Sequence, residues 1–145
     1  ADLDREAPVK AEALNAAGLR VLLVEDNRLN MEISRDLLES EGFAVEEAEN
    51  GSVAVDKIKA APGGYYDLVL MDIQMPVMDG YAAARAIRAL PDEKQASVPI
   101  IAVTANAFEE DKQAALDAGM NGHIPKPIHV DLLRRQLGAC LNERT

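Results

Sequence analysis

The sequence predicts an α/β fold in which five parallel β-strands alternate with five α-helices. Three mainly apolar runs, RVLLV at 20–24, DLVLM at 67–71 and PIIAV at 99–103, are typical of short strands that are buried on both faces of a sheet. Segments with apolar residues at helical spacing separate these runs. Strands that alternate with helices form βαβ units, and their right-handed crossovers place helices on both faces of a parallel sheet.

The first half of the chain predicts two strands and two helices. After the strand at 20–24, apolar residues at four-residue spacing predict a helix that stops at Gly42. The segment 44–49 alternates weakly, so we expect a more exposed strand there, and a short helix over 52–60 is broken by Pro62-Gly63-Gly64. The apolar positions of the first helix are Leu29, Ile33 and Leu37.

The second half repeats the strand–helix unit and adds a third, shorter strand with a final helix. Pro91 closes one helix and Gly119 caps the next, while leucines recur at four-residue spacing in the last helix. The predicted strands here are 67–71, 99–103 and 122–125, and the predicted helices are 81–90, 108–118 and 130–142.

Length and composition indicate one domain with an appendage. A chain of 145 residues favours a single domain, which we expect over 19–145. Residues 1–18 are rich in Ala with scattered charges, and they fit either a linker or a frayed terminus or cloning remnant. The first residue is Ala, which favours a fragment of a longer protein.

The charge balance argues against nucleic-acid and membrane partners. Lys and Arg number 15 against 25 Asp and Glu, which gives a formal net charge of −10, whereas phosphate backbones and anionic lipids select basic surfaces. No apolar run approaches the roughly 20 residues of a membrane span, and no signal-peptide pattern is present. The single Cys140 rules out an intramolecular disulfide and favours a reducing compartment, so we expect a cytoplasmic location.

Polar residues follow four of the predicted strands. In open α/β sheets, ligands bind beyond the carboxyl ends of the strands, so we expect these side chains to meet at one edge. Carboxylates cannot remain ionised side by side without a cation, and their hard oxygen atoms suit Mg²⁺ or Mn²⁺. The residues are Glu25 and Asp26, Asp72, Thr104, and Lys126.

This combination of groups fits phosphoryl chemistry. A cation, the Lys126 ammonium and the Thr104 hydroxyl together match the charge and the oxygen atoms of a phosphoryl group. The sequence has no Gly-rich phosphate loop and no Ser/His/Asp grouping, so the natural nucleophile is a carboxylate. Asp72 is the best candidate because its strand is central.

Four motifs in order resemble a known family. VLLVEDN at 21–27, LVLMDIQMPVMDG at 68–80, IIAVTANA at 100–107 and HIPKPI at 123–128 resemble the response-regulator receiver domain of two-component phosphorelays. The resemblance covers residues 19–141 and implies a flavodoxin-like (βα)5 fold with the sheet order 2-1-3-4-5. VEDNRLNMEI and TANAF further resemble receivers fused to hybrid sensor histidine kinases.

The resemblance also implies a role for each site residue. Asp72 would accept the phosphoryl group from a phosphohistidine and then release it by hydrolysis, so the domain would catalyse its own phosphorylation and dephosphorylation. Whether it counts as an enzyme in its own right stays open. The Mg²⁺ ligands would be Asp26 and Asp72 directly, Glu25 through water, and the backbone carbonyl of Gln74; Thr104 and Lys126 would bind phosphoryl oxygens.

The resemblance implies a conformational switch and a docking side as well. His123 occupies the position where the family usually has Tyr or Phe as a switch residue, and it would act with Thr104 on the face formed by the fourth helix, fifth strand and fifth helix. The first helix, around Asn30 and Ile33, would dock a histidine-bearing four-helix partner. That partner would be a histidine kinase dimerisation and phosphotransfer domain or a histidine phosphotransfer protein.

Two other functions remain open at this point. The domain would be a pseudo-receiver if it docked to a kinase without being phosphorylated. It would be a flavodoxin-like binder of nucleotide or flavin if the same edge of the sheet held such a ligand. The lack of a glycine-rich loop argues against this second alternative.

Overall fold

The structure is a computed structural model, and it describes residues 19–72, 80–104, 109–125, 131–133 and 135, without the side chains of 109–112 and 125. The predictions for residues 1–18, Gln74, Lys126 and Cys140 lie outside the described residues. Along the described part of the chain, no helix combines the length and the apolar character needed to cross a bilayer.

Five strands form one parallel sheet in the order β2-β1-β3-β4-β5, which confirms the expected fold. β3 and β4 are buried at every position, as their apolar runs predict. β2 lies at an edge and is only partly buried, which agrees with its weak alternation. The strands are β1 Arg20–Val24, β2 Ala44–Ala48, β3 Leu68–Asp72, β4 Ile100–Thr104 and β5 Gly122–Pro125.

Helices follow the strands as predicted, with shifts of one or two residues at their ends. They are α1 Arg28–Ser40, α2 Gly51–Ala60, α3 Gly80–Arg88 and α4 Glu109–Asp117. Residues 131–133 and 135 are helical and lie within the predicted last helix. One helical turn, Glu93–Ala96, was not predicted: Asp92 caps it by accepting hydrogen bonds from the backbone N–H groups of Lys94 and Gln95.

The face by which α1 packs on the sheet differs from its predicted apolar stripe. Leu29 and Ile33 are 65% and 57% exposed, whereas Met31 and Leu38 are buried. Met31 and Leu38 are two turns apart and share one face, so burial follows that face. The four-residue spacing therefore predicted the helix correctly, but two of its three residues point to solvent.

Two apolar layers sandwich the sheet. One contains alternate residues of β1, β3 and β4 with side chains of α2 and α3, and the other contains the remaining strand residues with Met31 and Leu38 of α1. Both layers cover the central strands β1, β3 and β4, which pair with one another in a fixed register. The residues at the carboxyl ends of these strands form the candidate site described below.

Arg88, at the end of α3, ties the opposite edge of the sheet together. Its guanidinium donates hydrogen bonds to the segments that precede β4 and β5. Asn121 also accepts a bond from the backbone N–H of Ile100, so the start of β4 and the start of β5 share one anchor. The acceptors of Arg88 are the carbonyl oxygens of Ala96 at 2.6 Å, Val98 at 2.8 Å and Gly119 at 2.8 Å, and Oδ1 of Asn121 at 2.9 Å.

Candidate functional site

Three strands deliver their polar end residues to the same edge of the sheet. Val24 pairs with Met71, so Glu25 follows β1 beside Asp72, the last residue of β3. Asp72 in turn pairs with Val103, so Thr104 comes one residue further along the neighbouring strand β4. The register of the parallel sheet therefore brings together the side chains that the sequence placed at successive strand ends.

Glu25, Asp26 and Asp72 form an acid cluster. One carboxylate oxygen from each lies within 4.8 Å of the others. Glu25 and Asp72 are buried, with 6% and 2% of their surface exposed, whereas Asp26 is exposed. The cluster therefore has two acids below the surface and one at its opening.

The turn from β1 into α1 fixes the acidic pair. The backbone N–H of Glu25 donates to the carbonyl of Ala48 at 3.1 Å, which extends the ladder between β1 and β2 past the end of the strand. The backbone N–H of Asn27 donates to Oε2 of Glu25 at 3.1 Å, and Oδ1 of Asn27 caps α1 by accepting from the N–H of Asn30. Asp26 is thus held between a strand end and a helix cap.

The donor set fits a hard divalent cation. Buried carboxylates a few ångströms apart repel one another while ionised, and a cation between them removes that repulsion. Oxygen donors of this type suit Mg²⁺, which is often held by one or two carboxylates with waters completing its octahedron. In the part of the chain that the structure describes, Glu25, Asp26 and Asp72 would hold the ion.

Thr104 and His123 lie on the neighbouring strands β4 and β5, Thr104 at the end of β4 and His123 two residues before the end of β5. Thr104 is 1% exposed at the end of β4, so its hydroxyl lies in a dry environment next to the strand that carries Asp72. His123 pairs with Ala102 on β4 and shares its face of the sheet, where its Nε2 atom is buried. Gln74 and Lys126 lie outside the described residues, so their sequence-based roles stay predictions.

A cleft beside the acid cluster contains residues that the sequence did not single out. Its lining includes Glu25 and Asp26 together with Arg28, Met31, Glu47, Glu49 and Val53. Arg28 and Arg35 both bind Glu47, whose pKa is lowered chiefly by the hydrogen bond from Arg35 and also by that from Arg28. Since 19 residues separate Arg28 from Glu47 and no local motif links them, the sequence offered no signal for this contact.

The family described as the response regulator receiver domain matches residues 21–137. Among curated proteins, hybrid signal transduction histidine kinase B of Dictyostelium discoideum is 43% identical over 133 residues, which cover 85% of this chain and 7% of that protein. The signal transduction histidine-protein kinase BarA of Escherichia coli K12 is 40% identical over 131 residues, covering 87% of this chain and 14% of BarA. The chain thus spans a small part of the length of these relatives.

Solved structures agree with that match. The receiver domain of sensor histidine kinase PA1611 from Pseudomonas aeruginosa PAO1, solved with a magnesium ion in its active-site cleft, is 41% identical with a TM-score of 0.75. The match covers 87% of this chain and 99% of that one. A Saccharomyces cerevisiae co-crystal structure of the phosphotransfer protein Ypd1 with the receiver domain of Ssk1 matches at 34% identity and a TM-score of 0.71, covering 82% of this chain and 86% of that chain.

Proposed function

The chain belongs to the response regulator receiver domain family, and from that premise we propose that it accepts a phosphoryl group from a phosphohistidine on the carboxylate of Asp72, with Mg²⁺ as cofactor. The observation that carries the proposal is the acid cluster, whose three carboxylates lie within 4.8 Å of one another with Asp72 at 2% exposure. Its relatives include hybrid signal transduction histidine kinase B and the histidine-protein kinase BarA, so we propose that the chain is the receiver part of a hybrid histidine kinase.

The transfer itself exchanges one bond for another. A carboxylate oxygen of Asp72 forms a P–O bond while the P–N bond of the phosphohistidine breaks, and the electron pair of that bond stays on the ring nitrogen. The imidazole leaves neutral because its other nitrogen already carries a proton. The bound Mg²⁺ would supply charge neutralisation for the attacking carboxylate and the phosphoryl oxygens. Attack by water on the aspartyl phosphate then restores the Asp72 carboxylate and releases inorganic phosphate.

The chain's own groups position the phosphoryl group. Asp26 and Asp72 would contact the metal directly, with Glu25 acting through water, and Gln74 would add its backbone carbonyl. The hydroxyl of Thr104 and the ammonium of Lys126 would bind phosphoryl oxygens, and burial of Thr104 at the end of β4 supports this role because its hydrogen bond would be little weakened by water.

The switch would follow from the same contact. Drawing the Thr104 hydroxyl toward the phosphoryl group would bias the loop after β4 and the face made by α4, β5 and the last helix, with His123 as the second switch residue. His123 lies on β5, which pairs with β4, and it is opposite Ala102, two residues before Thr104. This proximity supports a coupled movement of Thr104 and His123. Within a hybrid kinase, the domain would act in the cytoplasm.

The direct test is phosphorylation by a small donor. Acetyl phosphate with Mg²⁺ should raise the mass of the protein by about 80 Da, and chelation of the metal with EDTA should slow incorporation by about a hundredfold or more, because the charges of the acceptor and donor are then unscreened. Intact-mass spectrometry measures both. A protein that docks to a kinase yet gains no mass would instead be a pseudo-receiver.

A partner would dock on the start of α1. Leu29 and Ile33 are exposed one helical turn apart, and α1 begins directly after the acidic pair. Apolar side chains in such a place suit the groove between helices of a histidine-bearing four-helix domain, either in a kinase or in a separate phosphotransfer protein. The match to a receiver solved with the phosphotransfer protein Ypd1 supports this class of partner.

Ile33→Glu should slow transfer from a phosphorylated histidine partner by about tenfold or more, since it places a charge in an apolar contact. Phosphorylation by acetyl phosphate should be unaffected, because that donor needs no docking surface. Asp56→Asn, on an exposed position of α2 away from the docking face, is the control. Equal transfer rates for Ile33→Glu and the wild type would contradict docking at α1.

A further inference from the structure

We propose that Glu47 is a positioning residue that holds Arg28 away from the acid cluster, so that the carboxylates of Glu25 and Asp26 stay available to a divalent cation. The inference rests on the proposed Mg²⁺ site. It adds a role for β2, a strand that contributes none of the residues assigned to the phosphoryl chemistry.

Arg28 shares a cleft with the acids that would bind the metal. Glu25 and Asp26 line that cleft, and Arg28 is the one cation among its described lining residues. Arg28 opens α1 two residues after Asp26, and its side chain is 68% exposed. A long, exposed guanidinium in this position has room to turn, and the acidic residues that line the cleft besides Glu47 are Glu25 and Asp26 of the cluster and Glu49.

Among the described residues, Arg28 forms ion pairs with Glu47 and Glu32, and the pair with Glu47 is the shorter. Nη1 of Arg28 lies 3.1 Å from Oε1 of Glu47, whereas its Nε lies 3.5 Å from the more exposed Glu32. The Glu47 side chain is 23% exposed, against 58% for Glu32, so the bond to Glu47 is the better shielded of the two.

The position of Glu47 is itself fixed. Its second oxygen, Oε2, binds Nη1 of Arg35, and Nε of Arg35 binds Glu39 one turn further along α1 at 3.1 Å. Glu47 also lies in β2, where it pairs with Leu23 of β1. Because the Glu47 carboxylate is fixed by the sheet and by Arg35, it holds the Arg28 guanidinium on the β2 side of the cleft.

A released guanidinium and a divalent cation would compete for the same oxygen atoms. Arginine presents its donors in a planar fork that matches a carboxylate, so an Arg28 freed from Glu47 would pair with Asp26 or Glu25. A cation entering the cluster would then have to displace it. The apparent affinity for the cation falls by the fraction of time that Arg28 occupies the carboxylates.

Glu47→Gln should therefore weaken Mg²⁺ binding by about threefold to fivefold, the range expected from exposed charge pairs. Isothermal titration calorimetry on the whole chain measures the dissociation constant for Mg²⁺ alone. Glu49→Gln is the matched control, since it removes the same charge from a residue lining the same cleft but releases no arginine in the described structure.

The double variant separates competition from the general loss of negative charge. If Arg28 is the competitor, Glu47→Gln should have no effect on the Mg²⁺ dissociation constant in an Arg28→Gln background. If charge alone matters, Glu47→Gln should weaken binding equally in both backgrounds and no more than Glu49→Gln does, and the proposal is then wrong.

A metal-free measurement tests the same movement. In ¹H–¹⁵N spectra without Mg²⁺, the Nη–H resonances of the Arg28 guanidinium should shift in Glu47→Gln and stay in place in Glu49→Gln, because Nη1 donates to Oε1 of Glu47 and only the first variant removes that charged acceptor. An unmoved resonance in Glu47→Gln overturns the proposal. If the wild-type protein binds no Mg²⁺, the proposed metal site is wrong. If the wild-type protein binds Mg²⁺ and Glu47→Gln binds it equally well, the metal site stands and the role of Glu47 is wrong.

Discussion

Asp72→Asn is expected to abolish the mass increase of about 80 Da that we expect acetyl phosphate and Mg²⁺ to give with the wild-type protein. The change keeps the size and shape of the side chain but replaces the carboxylate of the proposed nucleophile with an amide, which does not attack phosphorus. It also removes one of the three carboxylates of the acid cluster, so Mg²⁺ binding should weaken as well. Intact-mass spectrometry after incubation with the donor measures the loss, which we expect to be at least a hundredfold.

Failure to fold is not expected to explain that result. Asp72 is buried beside two other acids, so neutralising it relieves repulsion between like charges. Urea denaturation should therefore show an Asp72→Asn protein no less stable than the wild type. Asp36→Asn makes the same chemical change on an exposed position of α1 and should leave phosphorylation intact. Full incorporation by Asp72→Asn would show that another residue accepts the phosphoryl group.

Arg88→Met is expected to lower the free energy of unfolding by about 3 kcal/mol, the largest stability effect we predict for a single polar side chain. Methionine keeps part of the aliphatic stem but removes every donor. Three backbone carbonyls then lose the Arg88 donors at the start of β4 and β5, and Oδ1 of Asn121 keeps the bond from the N–H of Ile100 but loses that from Arg88. Charged donors contribute more than neutral ones, and groups left without a partner away from water add to the loss.

Arg85→Met is the control for Arg88→Met. Arg85 lies one turn earlier on α3 and is exposed, so its replacement should change the free energy of unfolding by no more than about 0.5 kcal/mol. Urea denaturation of both variants measures the difference. A loss below about 1 kcal/mol for Arg88→Met would mean that water replaces the lost donors and that the contact is not an anchor.

The site lies at the carboxyl ends of the strands and Arg88 acts at their amino ends, so the two predictions are separable. At a low temperature at which the Arg88→Met protein remains folded, it should still accept a phosphoryl group at Asp72. Asp72→Asn should keep its stability while losing its acceptor. Loss of both properties in either variant would indicate that the two ends of the sheet are coupled.

The strands and the acids that follow them could be predicted from the chain because each depends on local pattern. A run such as LVLMD is apolar at successive positions only if both faces of the strand are covered, and the first polar residue after the run marks the edge of the sheet. The predicted end of α1 at Gly42 is equally local, since this glycine, with a φ of 101°, follows Ser40 within one helical turn.

Helix faces were less predictable than helix bounds. On α1, two of the three apolar residues at four-residue spacing point to solvent, because the packing of the helix on the sheet selected the face of Met31 and Leu38. Spacing states which residues share a face, but it does not state which face meets the sheet when more than one carries apolar residues. The exposed pair then becomes the candidate docking surface.

By itself, the sequence determined the α/β class, the order of the elements and the residues at the strand ends. These features depend on the spacing of apolar residues within short segments of the chain. Only the tertiary structure decided that Glu25, Asp26 and Asp72 approach within 4.8 Å, that Arg28 is held by Glu47, and that Arg88 joins the starts of β4 and β5. Apart from the adjacent Glu25 and Asp26, these contacts join residues 8 to 47 positions apart in the chain. Sheet register and layer packing set their distances, and no pattern within one strand or helix encodes either.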